Sequence, residues 1–196
     1  MKTSTTRGTR AEDRRGFTII ELLMVMAIIA IVAAWALPKF SIARYRADAA
    51  GRLVRAQMQT AQRNAITRQS NVIVSFDLTN NRLRVVQDYN NNDTLNTTDL
   101  VNYRHLEEGA RFVTPTWNGP NGTTPTAPVV GAGLKTVSSL TSVIFRRDGS
   151  ASTDAEVYVT TRDAVKEEFR CVTVTGSTGK TDLYKWNGST WIRMTQ

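Results

Sequence analysis

Residues 14–38 decide how the chain is organised, and they read RRGFTIIELLMVMAIIAIVAAWALP. From Phe17 to Leu37 this stretch holds a single charged side chain, that of Glu21. At a rise of about 1.5 Å per residue, an apolar helix of this length spans roughly 30 Å, the thickness of a bilayer core. The sequence therefore predicts a transmembrane helix over residues 17–37.

The flanks and the single charge of this helix refine the prediction. Residues 1–16 carry five basic and two acidic side chains, so the positive-inside rule predicts a cytoplasmic N-terminus and an external chain beyond residue 37. Glu21 is unusual, because a carboxylate in an apolar membrane helix costs roughly 2.5–3.5 kcal/mol on insertion scales. Such residues usually have a partner, and the free α-amine of a neighbouring subunit would serve.

Three interpretations of this segment compete. A secretory signal peptide would be cut after a small-residue site such as Ala34-Trp35-Ala36, but the apolar run is longer than the usual core of a signal peptide and contains Glu21. A plain membrane anchor explains the length and leaves Glu21 unexplained. The third interpretation is a family resemblance that explains every feature.

Residues 15–23, RGFTIIELL, resemble the prepilin motif of type IV pilins and of type II secretion pseudopilins. The resemblance implies that a prepilin peptidase cleaves after Gly16 and methylates Phe17 as the new N-terminus. It also implies that Glu21 pairs with the terminal amine of an adjacent subunit during assembly, and that Pro38 lies at the kink of the first helix. The motif is specific, because a glycine, an aromatic residue, a glutamate and an apolar run occur together at fixed spacing.

The rest of the chain predicts an α+β fold: a long helix, half transmembrane and half amphipathic, packed on an antiparallel β-sheet domain as in pilins. Residues 38–70 continue the helix, since apolar side chains recur there every three or four residues. Residues 71–196 form a β-rich periplasmic domain. Within it we expect short strands over residues 72–76, 82–86, 140–147, 156–161, 169–175, 182–186 and 190–194, and a loop over residues 115–133, which hold four of the five prolines.

Three further stretches, residues 61–66, 143–151 and 174–180, resemble the GspH/FimT branch of minor pilins and pseudopilins. Some members of this branch bind DNA during natural transformation through a basic Gly-Arg-x-Arg motif in the tail. The matching stretch here is Gly179-Lys180-Thr181-Asp182, in which an acid replaces the second arginine. This departure argues against DNA binding through that motif.

Composition weighs against an enzyme. Cys171 is the only cysteine and His105 the only histidine, so an intrachain disulfide and a multi-histidine zinc site are excluded. The segment 1–16 contributes +3 to the net charge of +8, and the remaining +5 on residues 17–196 is too mild to indicate nucleic acid by itself. We therefore expect a structural subunit of a type IV pilus or a type II secretion pseudopilus, held in the inner membrane before it joins other pilins in a fibre. The alternative is a DNA-binding or adhesive tip subunit.

Two candidate sites remain in the β-rich domain. Oxygen-bearing side chains follow a calcium-loop spacing at Asp88, Asn90, Asn92, Asn96 and Asp99, although Asp93 replaces the turn glycine and Asp99 the longer glutamate. Calcium is accordingly the one cofactor that the sequence suggests, against the alternative of a solvated turn. In the tail, the basic residues Lys180, Lys185 and Arg193 alternate with Tyr184, Trp186 and Trp191, a pattern that suits single-stranded nucleic acid or, equally, strands with one aromatic and one basic face.

Overall fold

The computed structural model describes residues 17–36 and 42–195. The chain divides between residues 41 and 42 into two compact units, and each is described by itself. The first contains helix α1, Ile19–Ala36, whose side chains are almost all apolar. The second contains helix α2, Ile42–Arg68, and eleven β-strands among the described residues.

The strands are short and follow α2 along the chain. In chain order they are β1 (Asn71–Asp77), β2 (Arg82–Asp88), β3 (Leu100–His105), β4 (Ala110–Phe112), β5 (Val129–Val130), β6 (Lys135–Val137), β7 (Leu140–Phe145), β8 (Ala155–Thr161), β9 (Arg170–Val174), β10 (Thr181–Trp186) and β11 (Trp191–Arg193). A short 3₁₀ helix, Lys166–Glu168, lies between β8 and β9. Asn81, in the turn between β1 and β2, has a φ of +48°, a left-handed conformation that asparagine tolerates.

The strands form two antiparallel sheets. The first has the order β3-β2-β1-β7-β6, and the second has the order β11-β10-β9-β8-β4, with β5 also paired to β8. The pairing of β1 with β7 joins Val72 to Phe145 and Val74 to Val143, so distant parts of the chain meet at the centre of the first sheet. The predicted α+β class, with a helix packed on antiparallel strands, is confirmed.

Helix α2 packs on the inner faces of both sheets through a stripe of mostly small side chains. Its buried residues are Ala47, Ala50, Gly51, Val54, Met58, Ala61 and Ala65. Gly51 permits the closest approach, because a Cβ there would lie 2.9 Å from Cδ1 of Leu183 and 3.1 Å from Cβ of Arg170. Phe76 of the first sheet meets Phe112 of the second edge to face at 6.0 Å, so one apolar core joins α2 to both sheets.

The structure differs from the sequence prediction in its sheets. The strands separate into two sheets, β3, β4 and β6 were not foreseen, and the loop predicted over residues 115–133 contains the short strand β5. Strand β3 has mostly exposed side chains, and so it lacks the alternation that marks a half-buried strand. The division into segments 1–16, 17–37, 38–70 and 71–196 stays a prediction.

Candidate functional site

The first helix begins with a side-chain cap. The backbone N–H of Glu21 donates a hydrogen bond of 3.3 Å to Oγ1 of Thr18, the residue directly before α1. Thr18 and Glu21 stand three residues apart, as in a capping box, in which the Glu can reach back to the cap. Glu21 is also the acidic residue in the first turn, where the helix dipole favours negative charge. The sequence pattern Thr-x-x-Glu was the signal for this local role, which the motif-based interpretation missed.

The apolar side chains of α1 are exposed on every side. Phe17 is 79% exposed and Ile19 81%, and Met24 and Ile31 still expose well over half of their surface. A helix that is apolar all round is normally buried, either in a protein core or in a membrane. Helix α1 therefore needs a covering that its own unit does not provide in the described residues. Across residues 17–36 and 42–195, none of the helices meets the combined length and apolarity of a membrane span.

Several predicted site residues of this segment cannot be placed. The cleavage residue Gly16, the leader over residues 1–16 and the proposed kink residue Pro38 lie outside the described residues. Phe17 and Glu21 lie within them, and both are exposed. The roles in processing and assembly that the motif implies for these residues stay predictions.

The three stretches that resemble the GspH/FimT branch meet at one point of the fold. Nε2 of Gln62, on α2, donates hydrogen bonds of 2.8 Å to the carbonyl oxygens of Gly149 and Thr178. Gly179 has a φ of +63°, and a Cβ there would collide with the Gly149 carbonyl oxygen and lie 2.5 Å from the Gln62 amide. We call these four residues the Gln62 junction. It ties the helix to two turns of the β-rich unit, and so these stretches serve the fold.

The candidate calcium loop is closed by its own hydrogen bonds. The carboxylate of Asp88 is fully buried and accepts bonds from the backbone N–H groups of Asn92, at 3.3 Å, and Asp93, at 2.8 Å. Asp93 has a φ of +60°, the left-handed conformation that the turn glycine of a calcium loop supplies. Its own carboxylate forms a 3.2 Å ion pair with Arg146.

The remaining oxygens of that loop are also engaged. Oδ1 of Asn92 accepts hydrogen bonds from Thr94 and Asn96, and Asp99 accepts one of 2.8 Å from the Asn96 backbone. Within the described parts of the chain, no group of three or more His, Cys, Asp or Glu side chains is placed to share a metal ion. A calcium ion would have to replace donors from the protein itself. The calcium site stays a prediction.

The register of β10 and β11 divides the basic residues of the tail between the two faces of the strands, with Arg193 opposite Tyr184 on the same face as the two tryptophans. In the register of β10 and β11, Trp186 faces Trp191 and Lys185 faces Ile192. Successive side chains of a strand point to opposite faces, so Lys185 lies on the face away from the two tryptophans. Lys180 and Arg193 both pair with one carboxylate, that of Asp182, the former at 3.6 Å. The nucleic-acid site proposed from this pattern stays untested.

The single thiol and the single imidazole lie on different sheets. Cys171 is fully buried on β9, and burial raises the pKa of its thiol well above the usual value. His105 is at the exposed end of β3. A buried neutral thiol is chemically inert, and so these two residues do not form a nucleophile pair.

Comparisons with known proteins found a family match for the N-terminal segment and solved structures with a similar fold. Residues 13–37 match the family described as the prokaryotic N-terminal methylation motif. No curated protein is significantly similar to the chain in sequence. A crystal structure of the minor pseudopilin EpsH from the type II secretion system of Vibrio cholerae has a similar fold at 15% identity, covering 75% of this chain and 99% of its own, with a TM-score of 0.50.

A second structure of the same Vibrio cholerae pseudopilin covers 74% of this chain and 99% of its own, at 15% identity and a TM-score of 0.48. The chain thus carries an N-terminal methylation motif, and its fold is similar to that of a minor pseudopilin. The resemblance to the GspH-like branch is consistent with both.

Proposed function

We propose that the chain is a structural subunit, a minor pilin or pseudopilin, of a type IV pilus or a type II secretion pseudopilus. The observation that carries the proposal is helix α1, which lies within a methylation motif matched over residues 13–37 and exposes its apolar side chains all round. Such a helix needs lipid or other apolar helices around it. The membrane would cover helix α1 before assembly, and a bundle of subunit helices would cover it in the fibre.

The proposed life of the subunit has three steps. A prepilin peptidase cleaves after Gly16 and methylates Phe17. The segment 17–37 then holds the chain in the inner membrane, with the leader side cytoplasmic and the β-rich unit periplasmic, as its basic flank suggests. Finally the helix leaves the lipid and packs against the helices of other pilins or pseudopilins in a fibre. The subunit performs no catalysis in this scheme.

Glu21 has two candidate roles that an experiment can separate. As a capping residue it needs only a side chain that accepts a hydrogen bond, and Gln serves as well as Glu in a capping box. As the partner of a neighbouring α-amine it needs its charge. An uncompensated charge in a buried pair costs on the order of 3–5 kcal/mol, and apolar helix contacts alone do not fix register.

The test compares Glu21→Gln and Glu21→Val with the wild-type chain in sheared-fibre or pseudopilus preparations, at equal expression. The proposal predicts that both variants are cleaved and stay in the membrane, and that both fail to enter fibres. If Glu21→Gln assembles normally and Glu21→Val does not, the cap is the relevant role. Normal assembly of both variants would contradict an assembly role for Glu21. It would favour the interpretation of α1 as a plain membrane anchor.

A DNA-binding tip subunit is the second candidate, and the surface of α2 favours it more than the tail does. This helix carries six arginines and one acid, Asp48, whose carboxylate pairs at 2.6 Å with Arg170. Arg52 and Arg63 are exposed. Clustered arginines suit a phosphate backbone. Retention of duplex DNA by the wild type, lost in Arg52→Ala/Arg63→Ala and kept in Lys185→Ala, would support this candidate. No retention by the wild type would remove this candidate, and equal retention by all three would exclude Arg52 and Arg63 as the binding residues.

A further inference from the structure

All three tryptophans of the second unit meet at one pocket. Trp117, Trp186 and Trp191 line it together with the polar residues Asn118, Ser189 and Thr190, and its volume is about 580 Å³. This volume lies within the usual range of small-molecule sites, roughly 300–1,000 Å³. We call it the tryptophan pocket. Tryptophans that only pack in the core would be buried, whereas these three are half-buried and line an open surface.

The indole rings of the tryptophan pocket hold one another in place. Trp186 and Trp191 face each other across β10 and β11, with ring centroids 5.3 Å apart. Trp117 comes from the loop before β5 and lies 5.1 Å from Trp186 and 4.9 Å from Phe169. Nε1 of Trp191 donates a 2.8 Å hydrogen bond to the carbonyl oxygen of Asn118. The pocket is therefore largely preformed, which lowers the entropic cost of binding.

The chemistry of the lining selects the class of ligand. None of the residues that line the tryptophan pocket is charged, so the lining itself offers no counter-charge to a phosphate or an ammonium group. One cation stands beside it, since Nζ of Lys166 lies 5.8 Å from the centroid of the Trp117 ring. The indole faces suit an apolar surface that is flat, and the exposed amide and hydroxyl side chains at the rim suit hydroxyl groups.

We propose that the tryptophan pocket binds a neutral saccharide. The C–H faces of pyranose rings pack on the indoles of Trp186 and Trp191, and ring hydroxyls bond to Asn118, Ser189 and Thr190. This role is separate from fibre assembly, because none of the pocket residues belongs to α1 or α2. It gives a subunit with a periplasmic or external domain a way to hold a glycan.

Single-stranded nucleic acid is the competing occupant, since bases also stack on aromatic side chains. It additionally needs cations along its backbone. Lys185 lies on the opposite face of the sheet from the two strand tryptophans, and Lys180 and Arg193 are paired with Asp182. The neutral lining therefore favours the saccharide, and nucleic acid becomes an outcome of the test.

The test titrates the full mature chain, in a zwitterionic detergent without sugar groups, with cellotriose, chitotriose, maltotriose and mannotriose. Tryptophan fluorescence reports binding, because three of the four tryptophans of the chain line the pocket. At least one trisaccharide should give a saturable change. Trp191→Ala should weaken its affinity on the order of tenfold or more, as large aromatic anchors do. Tyr45→Ala, which removes a 75% exposed aromatic residue elsewhere, should leave the affinity unchanged.

A second variant protects the test from misfolding. Ser189→Ala/Thr190→Ala alters only exposed rim side chains, and it should weaken binding about threefold to tenfold while the circular dichroism spectrum stays that of the wild type. The absence of binding by all four trisaccharides overturns the proposal. Equal affinity in wild type and both pocket variants also overturns it, as does tighter binding of a thymidine oligonucleotide that Trp191→Ala abolishes.

Discussion

Replacing Gly179 by alanine tests the Gln62 junction most sharply. The backbone there is left-handed, with a φ of +63°, which costs an L-residue about 1–2 kcal/mol. The added Cβ would also meet the Gly149 carbonyl oxygen and the Gln62 amide, so the junction must open. Opening it forfeits two hydrogen bonds of about 1 kcal/mol each. We expect a total loss of about 3–4 kcal/mol of unfolding free energy.

Gly122→Ala is the matched control, because Gly122 has a φ of +82° and a Cβ there would meet nothing within 4 Å. It should show the backbone strain alone. At roughly 2–4 °C per kcal/mol for a chain of this size, Gly179→Ala should melt about 4–8 °C below Gly122→Ala when unfolding is followed by near-ultraviolet circular dichroism. Gln62→Ala should cost about 2 kcal/mol, and the two junction variants should not be additive. Equal melting temperatures for the two glycine variants would refute the junction.

Two further predictions concern the loops of the first sheet. If the loop over residues 88–99 binds calcium, a saturating calcium concentration should raise the melting temperature. A ligand at 100 times its dissociation constant adds about 2.7 kcal/mol to the unfolding free energy. Identical melting temperatures with calcium and with a chelator would contradict the calcium site. Hydrogen bonds from Asn80 and the neighbouring Arg82 lower the pKa of Asp77 to about 2. The ionised carboxylate therefore stabilises the fold fully above the unfolded pKa of about 3.9. This contribution is lost as the pH falls through about 2. The difference in unfolding free energy between wild type and Asp77→Asn should therefore shrink as the pH falls from about 4 to about 2. A difference that does not change with pH would contradict the lowered pKa of Asp77. The control is Asp163→Asn, which replaces an exposed carboxyl.

Local patterns predicted much of the fold. The β-branched runs at β1 and β8 and the small-residue stripe of α2 are fixed by short-range periodicity, and so the α+β class followed from the sequence. The division into two sheets did not, because it depends on which strand β7 pairs with, and its partner β1 is about 70 residues away. Strand β3 was not predicted because its side chains are mostly exposed.

The candidate sites show the same limit. Glu21 was identified through the prepilin motif, which gives no sign of the hydrogen bond from its backbone N–H to Oγ1 of Thr18. The Thr-x-x-Glu pattern of residues 18–21 would have predicted that bond. The alternation of basic and aromatic residues in the tail left two interpretations open, and only the register of β10 and β11 placed Lys185 away from Trp186. The tryptophan pocket could not be foreseen, since Trp117 reaches it from a loop 69 residues before Trp186.

The most direct test of the central claim is the intact mass of the chain recovered from membranes of cells that contain a prepilin peptidase. The account predicts a chain that begins at Phe17 and is heavier by one methyl group on its terminal amine. In Gly16→Ala the precursor should stay uncut, because the resemblance implies a peptidase that needs a glycine at that position. A wild-type chain that begins at Leu37 would show signal-peptide cleavage after Ala36, and an uncut wild-type chain would show a plain anchor. Either result would contradict the pilin-like account.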